Sequence, residues 1–307
     1  MDQIGLVDRA RRGDRQAFAE LVRATGSRLD ATARLIFRDP DLAQDAVQDT
    51  LIRAWTRLPG AARSTIDIAP NGRELAFEAF DYNAPTRHIS IAALDQSTFR
   101  TFYDVQVTDH GGIQYLAPDG RELGYLALAS NGHTHDIRAP DVTTGETRPI
   151  VETSIGNDIV GDLSASPDGQ RIAYALESVT GAISVHVVGT DGRGDAEVGH
   201  LPGATFEAWP QWDPQGHRLL IERDAGDGVV HPVIVDLDGG PDVVIHTTIS
   251  SNGAGKTWAP DGSAILAQRI AEDGRQLQQE LWNARTGAVT PVSWPSVTPP
   301  SWQRVAR

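Results

Sequence analysis

Five short turns in register constrain this chain more than any other feature: IAPNG, LAPDG, ASPDG, WDPQG and WAPDG. Their glycines are Gly72, Gly120, Gly169, Gly216 and Gly262, at steps of 48, 49, 47 and 46 residues. Four residues before each glycine stands an apolar residue: Ile68, Leu116, Ala165, Trp212 or Trp258. Three after it comes Leu75, Leu123, Ile172, Leu219 or Ile265, and five after it Phe77, Tyr125, Tyr174, Ile221 or Ala267. Alternation of period two on both arms of a turn is the pattern of a β-hairpin that buries one face. Proline fits the early turn position through its fixed φ, and glycine supplies the left-handed residue that closes the turn.

Each repeat then carries a second hairpin, marked by ISIAALDQST, DVTTGETRPI, VVGTDGRG, VIVDLDGG and LWNARTGAVT. Two hairpins make four strands, and four strands in somewhat under 50 residues is the size of one propeller blade. On these motifs residues 64–307 resemble the TolB-type, WD-repeat-like (PD-repeat) propeller family. The resemblance implies five blades and a partial sixth, because Trp302 falls 44 residues after Trp258 and begins another repeat.

The first 60 residues read differently. Phe18, Leu21, Val22, Leu29, Ala33 and Ile36 recur at helical spacing after an N-cap at Asp14, with Gly26 as a point of weakness. A second helix is predicted from Asp39-Pro40, with Val47, Leu51, Ala54, Trp55 and Leu58 inward and Pro59-Gly60 as its stop. The stretches RRGDRQAFAELV (11–22) and RDPDLAQDAVQDTLIRAWTRLP (38–59) resemble region 2 of extracytoplasmic-function sigma factors, of the sigma-70 family. That resemblance implies docking on the β′ clamp of RNA polymerase through Gln48, Asp49, Ile52 and Arg53. It also implies a basic, aromatic helix after RAWTRLP and a later helix-turn-helix, where this chain has AARSTIDIAPNG and then β-repeats. Holding unstacked promoter bases requires aromatic and cationic side chains, so direct DNA binding is not expected.

The expected fold is therefore α + all-β, with a truncated sigma-region-2-like head at 1–60 and a propeller at 61–307. Each module lacks what the other displaces at the seam. This suggests a deletion fusion between a sigma factor and a propeller-bearing anti-sigma factor. The expected function is non-enzymatic: clamp binding in transcription initiation or regulation, without full promoter recognition. The alternative is a propeller that binds a protein or peptide, or senses a ligand, beside a vestigial head.

Charge supports part of this. Residues 1–60 hold ten arginines against nine acids, whereas the remainder holds 17 basic and 32 acidic side chains. Phosphate binding is driven by cationic counterion release, which an acidic body does not supply. There is no cysteine, and no apolar run approaches the roughly 20 residues of a membrane span. The N-terminus has no apolar core of signal-peptide length, so a cytoplasmic protein with no membrane association is expected.

Turn chemistry accounts for most of the smaller motifs. His133, His135 and Asp136 in HTHD suggest a metal cluster, but two imidazoles without a third ligand make a poor site, and a polar loop is expected. SNGAGKT (251–257) resembles a phosphate-binding loop with Ser250 where the first glycine belongs. It also resembles a sialidase-type Asp-box, with Gly253 in place of the aspartate. The acids of DLDGGPD and DAGDGVV fit turns. No nucleophile elbow is present; propeller lactonases and glycosidases assemble sites from separate blades, so that third reading stays open. No catalytic residue, metal or cofactor is expected.

Overall fold

The computed structural model describes residues 66–69, 74–80, 87–93, 99–102, 113–116, 119–247, 255–270 and 277–292. They form twenty strands. The first four, β1 (Ile66–Ile68), β2 (Glu74–Phe80), β3 (Arg87–Ala93) and β4 (Phe99–Phe102), pair in sequence order. So do β5 (Ile113–Tyr115), β6 (Leu123–Leu128), β7 (His135–Pro140) and β8 (Thr147–Val151). The next two meanders are β9 (Asp158–Ala165), β10 (Arg171–Glu177), β11 (Ile183–Gly189), β12 (Ala196–Glu197), and β13 (Phe206–Trp212), β14 (Arg218–Asp224), β15 (Val230–Asp236), β16 (Val243–Val244). These eight share one sheet because β11 and β13 meet in parallel at Ile183 and Phe206. The last meander is β17 (Lys256–Trp258), β18 (Ala264–Ile270), β19 (Leu277–Asn283) and β20 (Val289–Val292).

The α + all-β expectation is corrected. Among the described residues there are strands, bridges, turns and bends but no helix, and apolar residues alternate with period two. The 1–60 segment, with Gln48, Asp49, Ile52 and Arg53, lies outside the described residues, as do Gly72 and Trp302. The chain separates into two compact units, one of Met1–Ile66, Phe77–Ser90 and Arg100–Val105, the other of Asp67–Ala76, Ile91–Phe99 and Gln106–Arg307. Strands β5 to β20 lie wholly in the second unit, which holds everything described below.

The repeat positions do what their chemistry predicts. Gly120, Gly169, Gly216 and Gly262 have φ of 71°, 69°, 75° and 69°. In three of these turns the glycine amide donates to the carbonyl three residues back, at Ser166, Asp213 and Ala259. Leu123, Ile172, Leu219 and Ile265 are fully buried, and Tyr125, Tyr174, Ile221 and Ala267 nearly so. They feed cores that lie between consecutive meanders. Ile172 and Tyr174 pack with Leu126 and Ile137 of the preceding meander. From the opposite face of the same sheet, Ala173, Val185 and Val187 pack with Leu219, Ile221 and Val233 of the next. Leu220 and Ile234 repeat the step towards Ile265 and Trp282. The two middle meanders, β9–β12 and β13–β16, are thus buried on both faces, as stacked sheets require.

Two kinds of side-chain link repeat between meanders. Beside the turns, Arg171 donates from Nη2 to the Gly216 carbonyl (2.7 Å), its guanidinium 4.6 Å from the Trp212 ring centroid. Arg218 does the same one meander on, to Gly262 (2.8 Å) and over Trp258 (5.2 Å). Cation–π contact and hydrogen bond together lock one turn to the next. On the first strands, Asp67 accepts the Tyr115 amide, Gln114 accepts that of Ala165, and the Trp212 indole donates to the Ser164 carbonyl.

A Cβ on Gly262 would strike Gln215 Oε1 and lie 3.0 Å from Arg218 Nη2, whereas one on Gly181 (φ 78°) would meet nothing. Left-handed backbone alone costs an L-residue about 1–2 kcal/mol. Gly262→Ala is therefore expected to destabilise more than Gly181→Ala in urea unfolding, because only the first disturbs the Arg218 link.

Candidate interaction surface

Strand direction places the loops. β9, β10 and β11 alternate in direction, and β13 runs parallel to β11, so β9, β11 and β13 all start at the same edge of the sheet. The segments before β9, between β10 and β11, before β13 and between β14 and β15 gather there. They carry Ile155 and Val179, 75% and 77% exposed, together with Leu201 and Val229. A Cβ on Gly156 would collide with Val179, so these two loops touch; one on Gly226 would lie 3.1 Å from the Gly203 carbonyl, which joins the other two. Large aliphatic side chains exposed on touching loops form apolar surface of the kind that interaction sites use.

Trp209 belongs to the same edge. Both β9 and β13 leave regular pairing at the next residue, after Val160 opposite Ala175 and after Ala208 opposite Glu222, with three bulged residues on β9 (161–163) and two on β13 (209–210). At the first bulge position β9 has Gly161 with φ 76°, and β13 has Trp209 with φ 52°. A bulky residue in this region costs about 1–2 kcal/mol, and the equivalent glycine avoids that cost. The fold thus needs the bulge but not tryptophan in it. The indole is 37% exposed, lies 5.2 Å from the Phe206 ring and rests against Gly161. Strain of this kind collects where side chains are held for binding.

Beneath the loops lies a charged group. Arg223, buried on β14, donates to Glu207 Oε1 (2.5 Å), to Asp242 Oδ2 (2.7 Å) and to the Gly199 carbonyl. Glu207 is 1% exposed. Burial pushes its carboxyl above the usual range, against the pull of Arg223 and His200.

His133 sits in a turn where the Asn131 side-chain Oδ1 accepts the His133 and Thr134 amides. His135 is on β7, its Nδ1 2.7 Å from Asp158, and Asp136 is buried, accepting the Thr153 amide and pairing with Arg138. The HTHD residues are therefore held by different partners. Lys256, the end of the loop-like SNGAGK, opens strand β17 and forms a buried ion pair with Glu222. Asp224 accepts the Gly226 and Gly228 amides, and Asp236 that of Asp238, as turn chemistry predicts. Residues 251–254, with Gly253, lie outside the described residues.

Motif reading missed Ser184, His186 and Asp195. Ser184 Oγ lies 3.2 Å from His186 Nε2, and His186 Nδ1 3.4 Å from Asp195 Oδ1. The same carboxylate oxygen accepts the Tyr174 hydroxyl at 2.9 Å, and burial followed by Asp195 pushes that phenol upward. An exposed carboxylate shared this way orients the imidazole weakly, unlike the buried aspartate of a working triad. A cleft of about 470 Å³ lies at the opposite edge, between Arg218, Asp261, Asn283 and Thr286. Its polar groups are engaged in turns: Asp261 accepts the Ser263 amide, and Asn283 those of Arg285 and Thr286.

No family model and no curated protein matches the chain, so the sigma-factor resemblance gains no support. Solved structures do match. TolB from Acinetobacter baumannii is similar at TM-score 0.57 and 14% identity, over 76% of this chain and 56% of that one, so the chain spans little more than half its length. The β-propeller domain of the Trilobed protease from Pyrococcus furiosus matches at TM-score 0.51 and 13% identity, over 74% and 70% of the two chains. A puromycin-hydrolyzing peptidase of Mycobacterium tuberculosis matches at 0.54 and 15%, over 78% and 40%. The fold of the described body is a TolB-like β-propeller.

Proposed function

We propose that this chain is a non-enzymatic binding module whose propeller captures a protein segment at the edge formed by Ile155, Val179, Leu201, Trp209 and Val229. One observation carries the reading: Trp209 is held in left-handed backbone where the equivalent position of β9 is glycine, and it stays 37% exposed. The neighbouring aliphatic side chains suit an apolar or aromatic segment, and the acidic groups below them favour one with positive charge at its flanks.

A peptide array or phage library screened against the full chain tests this. Binding sequences are expected to centre on apolar residues. Trp209→Gly keeps the bulge, relieves its strain and removes the indole. It should leave the unfolding midpoint equal or higher, while weakening peptide affinity by roughly 30-fold or more, the scale of a tryptophan hot spot. Peptides that bind Trp209→Gly as well as the parent would place the interaction elsewhere.

A further inference from the structure

We propose that Glu197, His200 and Glu207 form a binding site for a divalent transition-metal ion, with Zn2+ the best chemical match. Among the described residues this is the one place where three potential ligand side chains bring their donor atoms within 4.8 Å of one another. His200 Nδ1 lies 2.9 Å from Glu197 Oε1 and 3.9 Å from Glu207 Oε2. Donors around a four-coordinate zinc, each about 2.0–2.2 Å from the metal, stand roughly 3.4 Å apart. The observed spacings bracket that value, and both His200 and Glu197 are about half exposed and free to adjust.

Glu207 supplies the independent observation. Its side chain is buried, Arg223 holds Oε1, and Oε2 has no hydrogen-bond partner. The Leu201 amide also reaches the carboxylate and is the smallest of the influences that hold its pKa down, but Oε2 meets no donor in hydrogen-bonding geometry. A buried carboxylate oxygen left unpaired is costly, so its orientation towards His200 needs an account. A metal at that point would complete its coordination, with the Arg223 guanidinium fixing the ligand from behind as an outer-sphere partner.

Charge points the same way. Glu207 and Asp242 pair with a single cation, Arg223, and Glu197 beside His200 adds a third carboxylate, leaving about two negative charges when His200 is neutral. One imidazole and two carboxylates favour zinc over calcium or magnesium, which take oxygen ligands. Two ligands come from β12 and the connection that follows it, the third from β13, so the ion would clip that connection to the next meander. The exposed position leaves room for water as a fourth ligand.

The test uses the untagged full chain stripped with chelator. Isothermal titration with ZnCl2 is expected to show one equivalent binding at micromolar affinity or tighter. Co2+ in its place should give a visible absorption band. His200→Ala should weaken Zn2+ binding at least tenfold and abolish the Co2+ band, while its unfolding midpoint in chelator stays that of the parent. Glu197→Gln should do the same from the other surface ligand. Affinity no tighter than millimolar, or a drop of less than tenfold in both variants, overturns the site. The outcome is independent of whether the apolar edge binds a peptide.

Discussion

Lys256→Ala is expected to destabilise the chain by about 3–5 kcal/mol, the usual cost of leaving one member of a buried ion pair uncompensated. Lys256 is the protein's one lysine. Its ammonium pairs with Glu222, and the two side chains are 13% and 5% exposed. They join the meander β13–β16 to β17–β20 across a sequence separation of 34 residues. Removing the lysine strands a carboxylate beside the Ile234–Trp258–Ile265 core, where water reaches it poorly. Urea unfolding followed by tryptophan fluorescence measures the loss. The double variant Lys256→Met, Glu222→Leu should recover most of it, since an apolar pair of similar volume pays no desolvation. A single-variant loss under about 1 kcal/mol would mean that the pair behaves as a surface salt bridge.

Arg223→Leu should cost a comparable amount, again about 3–5 kcal/mol, because it leaves Glu207, Asp242 and the Gly199 carbonyl without their shared donor. This variant also carries a pH signature, measured in chelator. Burial raises the folded pKa of Glu207 above its unfolded value, with Arg223 opposing. A carboxyl of that kind binds its proton more tightly when folded. Its contribution to stability is therefore fully present below the unfolded value and is lost as pH rises through the raised folded one. Without Arg223 the folded pKa moves higher still, so the deficit of the variant should narrow as pH falls from neutral towards the ordinary carboxylate range. His200 and Glu197 face the same carboxylate, and repeating the titration in His200→Ala separates their share. A deficit that does not change with pH would show that Glu207 is not the group left exposed to the loss.

Some of this architecture is local enough to be legible in the chain. A proline-led turn closed by a left-handed glycine needs only neighbouring residues, and Gly120, Gly169, Gly216 and Gly262 adopt that conformation. Burial at three and five residues after each glycine follows from the two-residue period of a strand. The helical periodicity of residues 1–60 predicts an α + all-β chain; that segment lies outside the described residues, which are all-β.

The binding features were beyond such reading for a physical reason. Glu197 and His200 are three residues apart, but the third ligand arrives on the next meander, and its free oxygen depends on which atom Arg223 occupies. Trp209 looks like one more strand aromatic until the bulge gives it the backbone of Gly161. The sequence alone determined the repeat, the turns and the strand faces, because backbone conformation and side-chain alternation are decided over a few residues. Which charges meet between the sheets, and which apolar side chains are left at the edge, depends on how one meander lies against the next, and no local pattern specifies that.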